Sequence, residues 1–179
     1  MDLPNRQSIR LKNFDYSSNG AYFVTICTQD REMLFGGVVN GQMVLNELGR
    51  ILELVWESLS TRFPIIINTY QIMPNHFHAI IIIDNPVGAS LVGARNNVGT
   101  RSNKRAGTSP APTLKQPTLG NIIGAFKSLT TNTWGNGKFW QRNYFEHIIR
   151  NQIDFDKIAQ YIINNPAQWD LDENNPNSW

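Results

Sequence analysis

The sequence predicts an α+β fold built on an antiparallel sheet, and three observations carry that reading. Short runs rich in β-branched and aromatic residues alternate with stretches whose apolar residues recur at spacings of three and four. Turn signals fall between the runs, at Asn19-Gly20, Asn40-Gly41 and Pro74-Asn75. The composition, 41% hydrophobic and 17% charged, is that of a globular chain rather than a disordered or membrane one. A length of 179 residues fits one domain, 1–179, with a core large enough to need no disulfide or metal staple.

The first strand is "AYFVTICTQD", residues 21–30, entered through the Asn19-Gly20 turn. "MLFGGVVNGQMVL" reads as a hairpin, because two short apolar runs flank Asn40-Gly41. From Asn46 the period becomes helical, with Leu48, Ile51, Leu52, Val55, Leu59 and Phe63 on one stripe and Pro64 closing it. "IIINTYQIM" and "HFHAIIIID" supply two more strands around the tight Pro74-Asn75 turn.

Residues 85–116 then shift to Gly, Ala, Ser, Asn, Thr and Pro with basic residues, a composition that predicts a mobile basic loop. Helical spacing resumes in "LGNIIGAFKSLTTNTW". An extended "KFWQ" follows as a short last strand, and "NYFEHIIRN" and "DFDKIAQYIINN" as two short final helices, the second stopped by Pro166. Strand, hairpin, helix, strand, strand, helix, strand is satisfied with short connections by a ferredoxin-like antiparallel sheet with its helices on one face.

Charge is unevenly distributed. The net formal charge is only +2, yet no acidic residue occurs between Asp84 and Glu146, while Arg95, Arg101, Lys104, Arg105, Lys115, Lys127, Lys138 and Arg142 all do. Such a segment attracts phosphate, nucleic acid being its commonest partner, or it is simply a solvated linker. No apolar run reaches the roughly 18 residues of a bilayer span, and the first twenty residues lack the apolar core of a signal peptide, so the expected location is the cytoplasm. Cys27 is the only cysteine, which excludes an internal disulfide and a cysteine-based zinc cluster and reads most simply as a small buried hydrophobe.

Two pairs of residues carry candidate chemistry. In a strand, residues two apart share a face about 7 Å from one another, near enough for His76 and His78 to converge on one cation, with Phe77 and Ala79 facing the other way. The same pair also fits ordinary hydrogen-bonded strand histidines. Tyr161 and Asn165 are four apart on the last helix and so lie one above the other, beside the Phe155, Ile158, Ile162 stripe. Taken alone, Tyr161 is equally a half-buried packing aromatic.

Together, "MPNHFHAIIII", "FWQRNYFEHIIRN" and "YIINNP", in this order and spacing, resemble the REP-associated tyrosine transposases. These belong to the HUH superfamily of single-strand transposases, with its Y1 transposase-like domain, named for the histidine, hydrophobe, histidine motif that His76, Phe77 and His78 match. The resemblance runs from about "RQSIRLKNFDYSSNGAYFVTICT" to "NNPAQW", with only 85–116 peculiar to this chain.

The resemblance implies a ferredoxin-like core and a carboxy-terminal helix bearing a nucleophilic tyrosine. It implies a metal site of His76, His78 and Asn165, with Tyr161 as the nucleophile and Tyr144 as its rival. The implied activity is a metal-dependent endonuclease and strand transferase, acting in DNA transposition and recombination on single-stranded DNA with repeat hairpins through a 5′-phosphotyrosine intermediate. Two nitrogens and an amide oxygen suit Mg²⁺ or Mn²⁺. The implied setting is nucleoid-associated, as a monomer or a homodimer.

Lys127, Arg142, Arg150 and His147 are candidates for DNA contact, each equally readable as a surface or packing residue. Trp140 and Phe145 are stacking platforms or core. Two other classes remain open: a zinc hydrolase using His76, His78 and His147, and a protein that binds DNA hairpins without cutting them.

Overall fold

The computed structural model describes residues 14–84 and 116–178. The expected loop at 85–116, with Arg95, Arg101, Lys104, Arg105 and Lys115, lies almost wholly outside the described residues. Strand β1 (Gly20–Cys27) is followed by a hairpin of β2 (Gly36–Val39) and β3 (Gln42–Leu45), then α1 (Glu47–Ser58), β4 (Ile65–Ile72), β5 (His76–Ile83), α2 (Leu119–Trp134), β6 (Phe145–Ile149) and α3 (Gln152–Asn164). A six-residue 3₁₀ segment, Pro166–Leu171, ends the ordered elements. The main sheet runs β4-β5-β1-β6 with every neighbour antiparallel, which with α1 and α2 in the crossovers is the ferredoxin-like α+β arrangement.

Side chains cap each helix where the sequence supplies short polar groups. Asn46 accepts from the Gly49 amide at the start of α1 and Asn151 from that of Asp154 at the start of α3. Thr118 and Asn121 form a reciprocal capping box on α2, which ends at Gly135 in the left-handed conformation (φ 74°) that glycine adopts without a Cβ penalty. Gly49 has a different reason to be glycine: any Cβ there would collide with the Phe35 carbonyl, so the hairpin can lie directly on α1.

The core fixes which way the histidines point. Phe77 is fully buried between Trp56 of α1 and Phe126 of α2, with ring centroids 4.6 and 5.1 Å away. Because a one-residue slip would move every β5 side chain to the opposite face, this anchor also fixes His76 and His78 on the other side of the sheet. There a second, smaller cluster forms, in which Phe23, Ile80, Ile149 and Ile162 pack with Phe155 and Ile158. Thus α1 and α2 cover one face, and α3 is held across the other by the Phe155, Ile158, Ile162 stripe.

Two expected elements are corrected. The segment 143–151 is not a helix; Phe145–Ile149 is β6 and pairs with Ala21–Thr25 of β1. Tyr144 with Ile148 and Phe145 with Ile149 are spaced like helical neighbours, but β1 would otherwise be left with unpaired backbone groups along one edge. "KFWQ" is not the last strand, since it contributes only one isolated bridge, from Trp140 to Thr28.

Candidate active site

The site lies on the α3 side of the sheet. His76 and His78 are buried to within 1% of complete, and their Nε2 atoms face one another at 3.0 Å. Their outer nitrogens are held from behind: His76 Nδ1 contacts Asn75 Oδ1 and His78 Nδ1 contacts Thr25 Oγ1, each at 2.9 Å. Thr25 stands there because it is paired with His78 across β1 and β5 and so shares its face. The His78 ring also stacks on Phe23, centroid to centroid 5.4 Å.

The chain after α3 folds back and adds two groups. Asp172 is buried, with Oδ2 3.9 Å from His76 Nε2. Asn165 donates from Nδ2 to the same Oδ2 at 2.9 Å, and the backbone amide of Asn174 donates to Asp172 Oδ1 at 2.6 Å. Asn165 Oδ1 is buried without a hydrogen-bond donor. His76, His78 and Asp172 present ligand atoms all within 4.8 Å of one another, so this buried group can hold a metal ion. Two imidazoles, a carboxylate and an unsatisfied amide oxygen are what a divalent cation requires, and they supply no cation of their own.

Tyr161 reaches the group from α3. Its hydroxyl is 3.5 Å from His78 Nε2, its ring meets Phe23 edge-on, and 41% of the residue is exposed. It borders a cleft of about 370 Å³ shared with His78, Phe145, Gln141, Asn143 and Asn174. It also borders a second hollow of about 320 Å³ with Gln168, Leu171, Asp172 and Glu173.

Electrostatics follow from burial. Burial drives His76 down to about 3, with the Asn165 amide opposing and Arg31 adding to the shift. It also drives His78 well below the usual imidazole range, reinforced by His76. Both rings are therefore neutral and able to ligate. Tyr161 is pushed up to about 12, first by burial and then by Asp172 and Glu173, with Asn165 opposing. Burial and the two carboxylates thus both oppose the Tyr161 phenolate.

The remaining expected site residues are more dispersed. Lys127 on α2 donates to the carbonyls of Gln141, Arg142 and Asn143 at 2.8, 3.3 and 3.0 Å and lies 5.6 Å above the Tyr144 ring centre. It thereby holds the segment that walls the cleft. His147 is exposed on β6 with Nε2 2.9 Å from Asp154 Oδ2, and it is not one of the groups that converge with His76 and His78. A His-only zinc site therefore lacks its third ligand. Arg142 and Arg150 are exposed.

Tyr144 also lines the cleft, while packing against the main core. Trp140 is half-buried against the core, its Nε1 donating to Thr130 Oγ1 at 2.8 Å, whereas Phe145 is exposed at the cleft. Cys27 is half-buried on the cleft wall, with burial raising its thiol. Sequence reasoning missed Asn75, Thr25 and Asp172. The pairing of β1 with β5 was the only signal for Thr25, and nothing distinguishes Asp172 from its acidic neighbours Asp170 and Glu173.

No family model matches the chain. The solved REP-associated tyrosine transposase bound to a REP hairpin superimposes with a TM-score of 0.61, over 92% of this chain and 74% of that one, at 18% identity. The fold is therefore that of a Y1 transposase-like domain. The chain belongs to the same family as an uncharacterized protein of Haemophilus influenzae, to which it is 39% identical over 177 residues, 96% of this chain and 93% of that protein. Among the described residues no helix is long and apolar enough to cross a membrane.

Proposed function

We propose that this protein, acting as one domain, is a metal-dependent endonuclease and strand transferase for single-stranded DNA, with Tyr161 as nucleophile. The observation that carries the proposal is the approach of the Tyr161 hydroxyl to His78, at the mouth of a buried cluster made only of metal-accepting atoms. His76, His78 and Asn165 would hold Mg²⁺ or Mn²⁺, joined by Asp172. Such an ion, when bound, neutralises charge on the non-bridging phosphate oxygens.

In the proposed step Tyr161 Oη bonds to phosphorus as the P–O3′ bond breaks. The phenol gives up its proton and the departing 3′ oxygen gains one, leaving a 5′-phosphotyrosine and a free 3′-hydroxyl. The phosphodiester is conserved in the covalent link, so the step reverses onto another 3′-hydroxyl, which is strand transfer. Phe145 lines the cleft beside Tyr161 and would offer an unpaired base a stacking face. Since the structural neighbour is bound to a REP hairpin, hairpin repeats in single-stranded DNA are the proposed substrates, with Arg142, Arg150, His147 and Lys127 as candidate contacts. Action on such DNA places the protein at the nucleoid, as monomer or homodimer.

Incubation of the full chain with single-stranded hairpin oligonucleotides copied from repeats flanking its gene, with Mg²⁺ or Mn²⁺, tests this on a denaturing gel. A cut strand together with a protein-linked product is expected, and Tyr161→Phe should lose both. Cutting without a protein-linked product would point to a water nucleophile, and hairpin binding without cutting to a binding protein.

A further inference from the structure

Asn75 is buried and makes three side-chain contacts whose chemistry leaves no freedom. Its Nδ2 donates to the carbonyls of Arg31 and Asn174, at 3.0 and 2.7 Å. Both partners only accept, so the amide cannot be turned over without setting its oxygen against two carbonyl oxygens. Oδ1 therefore faces His76 Nδ1, which must be the nitrogen that carries hydrogen. The lone pair of His76 is left on Nε2.

That Nε2 faces His78 Nε2 at 3.0 Å. Two lone pairs at hydrogen-bond distance in a buried site repel, so without a cation His78 carries its hydrogen on Nε2 and donates to His76. His78 Nδ1 then accepts from the Thr25 hydroxyl, which can donate or accept as it rotates. A cation between the rings needs a lone pair on both Nε2 atoms.

We propose that Asn75 and Thr25 are positioning residues with different tasks: Asn75 holds His76 permanently in its ligating tautomer, and Thr25 lets His78 switch into its own when a divalent cation enters. The switch moves the neutral ring's single N–H hydrogen from Nε2 to Nδ1, by exchange with solvent, with no net gain or loss of a proton. Thr25 Oγ1 changes from donor to acceptor. The His–His hydrogen bond thus stands in for the cation and keeps the two rings together when it is absent. Through its bonds to Arg31 and Asn174, Asn75 also ties His76 to the turn that follows Asp172. This inference rests on the metal-binding reading above, but its test does not depend on DNA cleavage.

Long-range ¹H–¹⁵N spectra of the full chain labelled at histidine report the tautomer of each ring. In chelator, His76 should be protonated at Nδ1 and His78 at Nε2; with saturating Mg²⁺, and with Zn²⁺ as a diamagnetic probe, both should be protonated at Nδ1. Calorimetry establishes saturation. Thr25→Val should lower Mn²⁺ affinity by about 10–100-fold, the usual effect of losing an outer partner of a ligating histidine, and Thr25→Ser should restore it.

An Nδ1-protonated His78 in chelator, or an Nε2-protonated one in the saturated protein, overturns the proposal while leaving metal binding intact. Unchanged Mn²⁺ affinity in Thr25→Val overturns the role of the hydroxyl. If no divalent ion binds at millimolar concentration, the metal reading and this inference fall together.

Discussion

Asn165 donates from its side-chain amide to Asp172 across 2.9 Å, joining the last turn of the α3 helix to the chain that folds back beyond it. The bond uses the nitrogen of Asn165 and leaves its oxygen, like the remaining capacity of Asp172, to the histidine side of the site. The family resemblance implies Asn165 as a ligand, and the fold brings Asp172 beside it.

Asp172→Asn removes the only carboxylate of the cluster and sets a second amide against Asn165. Calorimetry or Mn²⁺ paramagnetic resonance should show affinity falling at least tenfold or so, comparable with or exceeding the loss of an outer partner. An unchanged affinity would restrict the ion to His76, His78 and Asn165.

The side from which the histidines work is set by Phe77 on the opposite face. Phe77→Ala should destabilise the protein by about 3–5 kcal/mol, as for a large aromatic removed from a packed core. Denaturant unfolding measures it, and a loss below about 1 kcal/mol would mean that the Trp56 and Phe126 contacts do not anchor β5.

Lys127 holds three successive carbonyls of the cleft wall. Lys127→Met should cost about 1.5–3 kcal/mol, the range for hydrogen bonds to a charged group, and should speed amide exchange around Gln141 before the rest of the sheet. If DNA affinity and its salt dependence fall instead with exchange unchanged, the ammonium belongs to the DNA.

Tyr161 is held at about 12 by burial first and then by Asp172 and Glu173, above the ordinary 10.0. Between these values the folded chain keeps a proton that the unfolded chain has lost, so this tyrosine's contribution to stability falls as pH rises through that window. The absorbance of phenolate in metal-free wild type minus that in Tyr161→Phe should remain near zero at pH 10.5. A midpoint near 10 in that difference would show an ordinary phenol.

What could be read in the sequence was whatever depends on local period. Same-face His76 and His78 follow from the two-residue repeat of a strand, and the Phe155, Ile158, Ile162 stripe that seats Tyr161 follows from the helical repeat. What could not be read depends on partners distant in the chain. Phe145–Ile149 fits either repeat, and pairing with β1 decides for a strand. Asp172 reaches His76 only because Pro166–Leu171 turns the chain back, and the bonds of Asn75 to Arg31 and Asn174 span residues that no short motif connects.

The central claim, that Tyr161 is the group that takes the DNA strand, is tested most directly by mass spectrometry of the product. After reaction of the full chain with a single-stranded hairpin substrate and Mn²⁺, nuclease trimming and proteolysis, the account predicts a peptide carrying a 5′-linked nucleotide on Tyr161. A nucleotide on Tyr144, or cleaved DNA with no modified peptide, would contradict it.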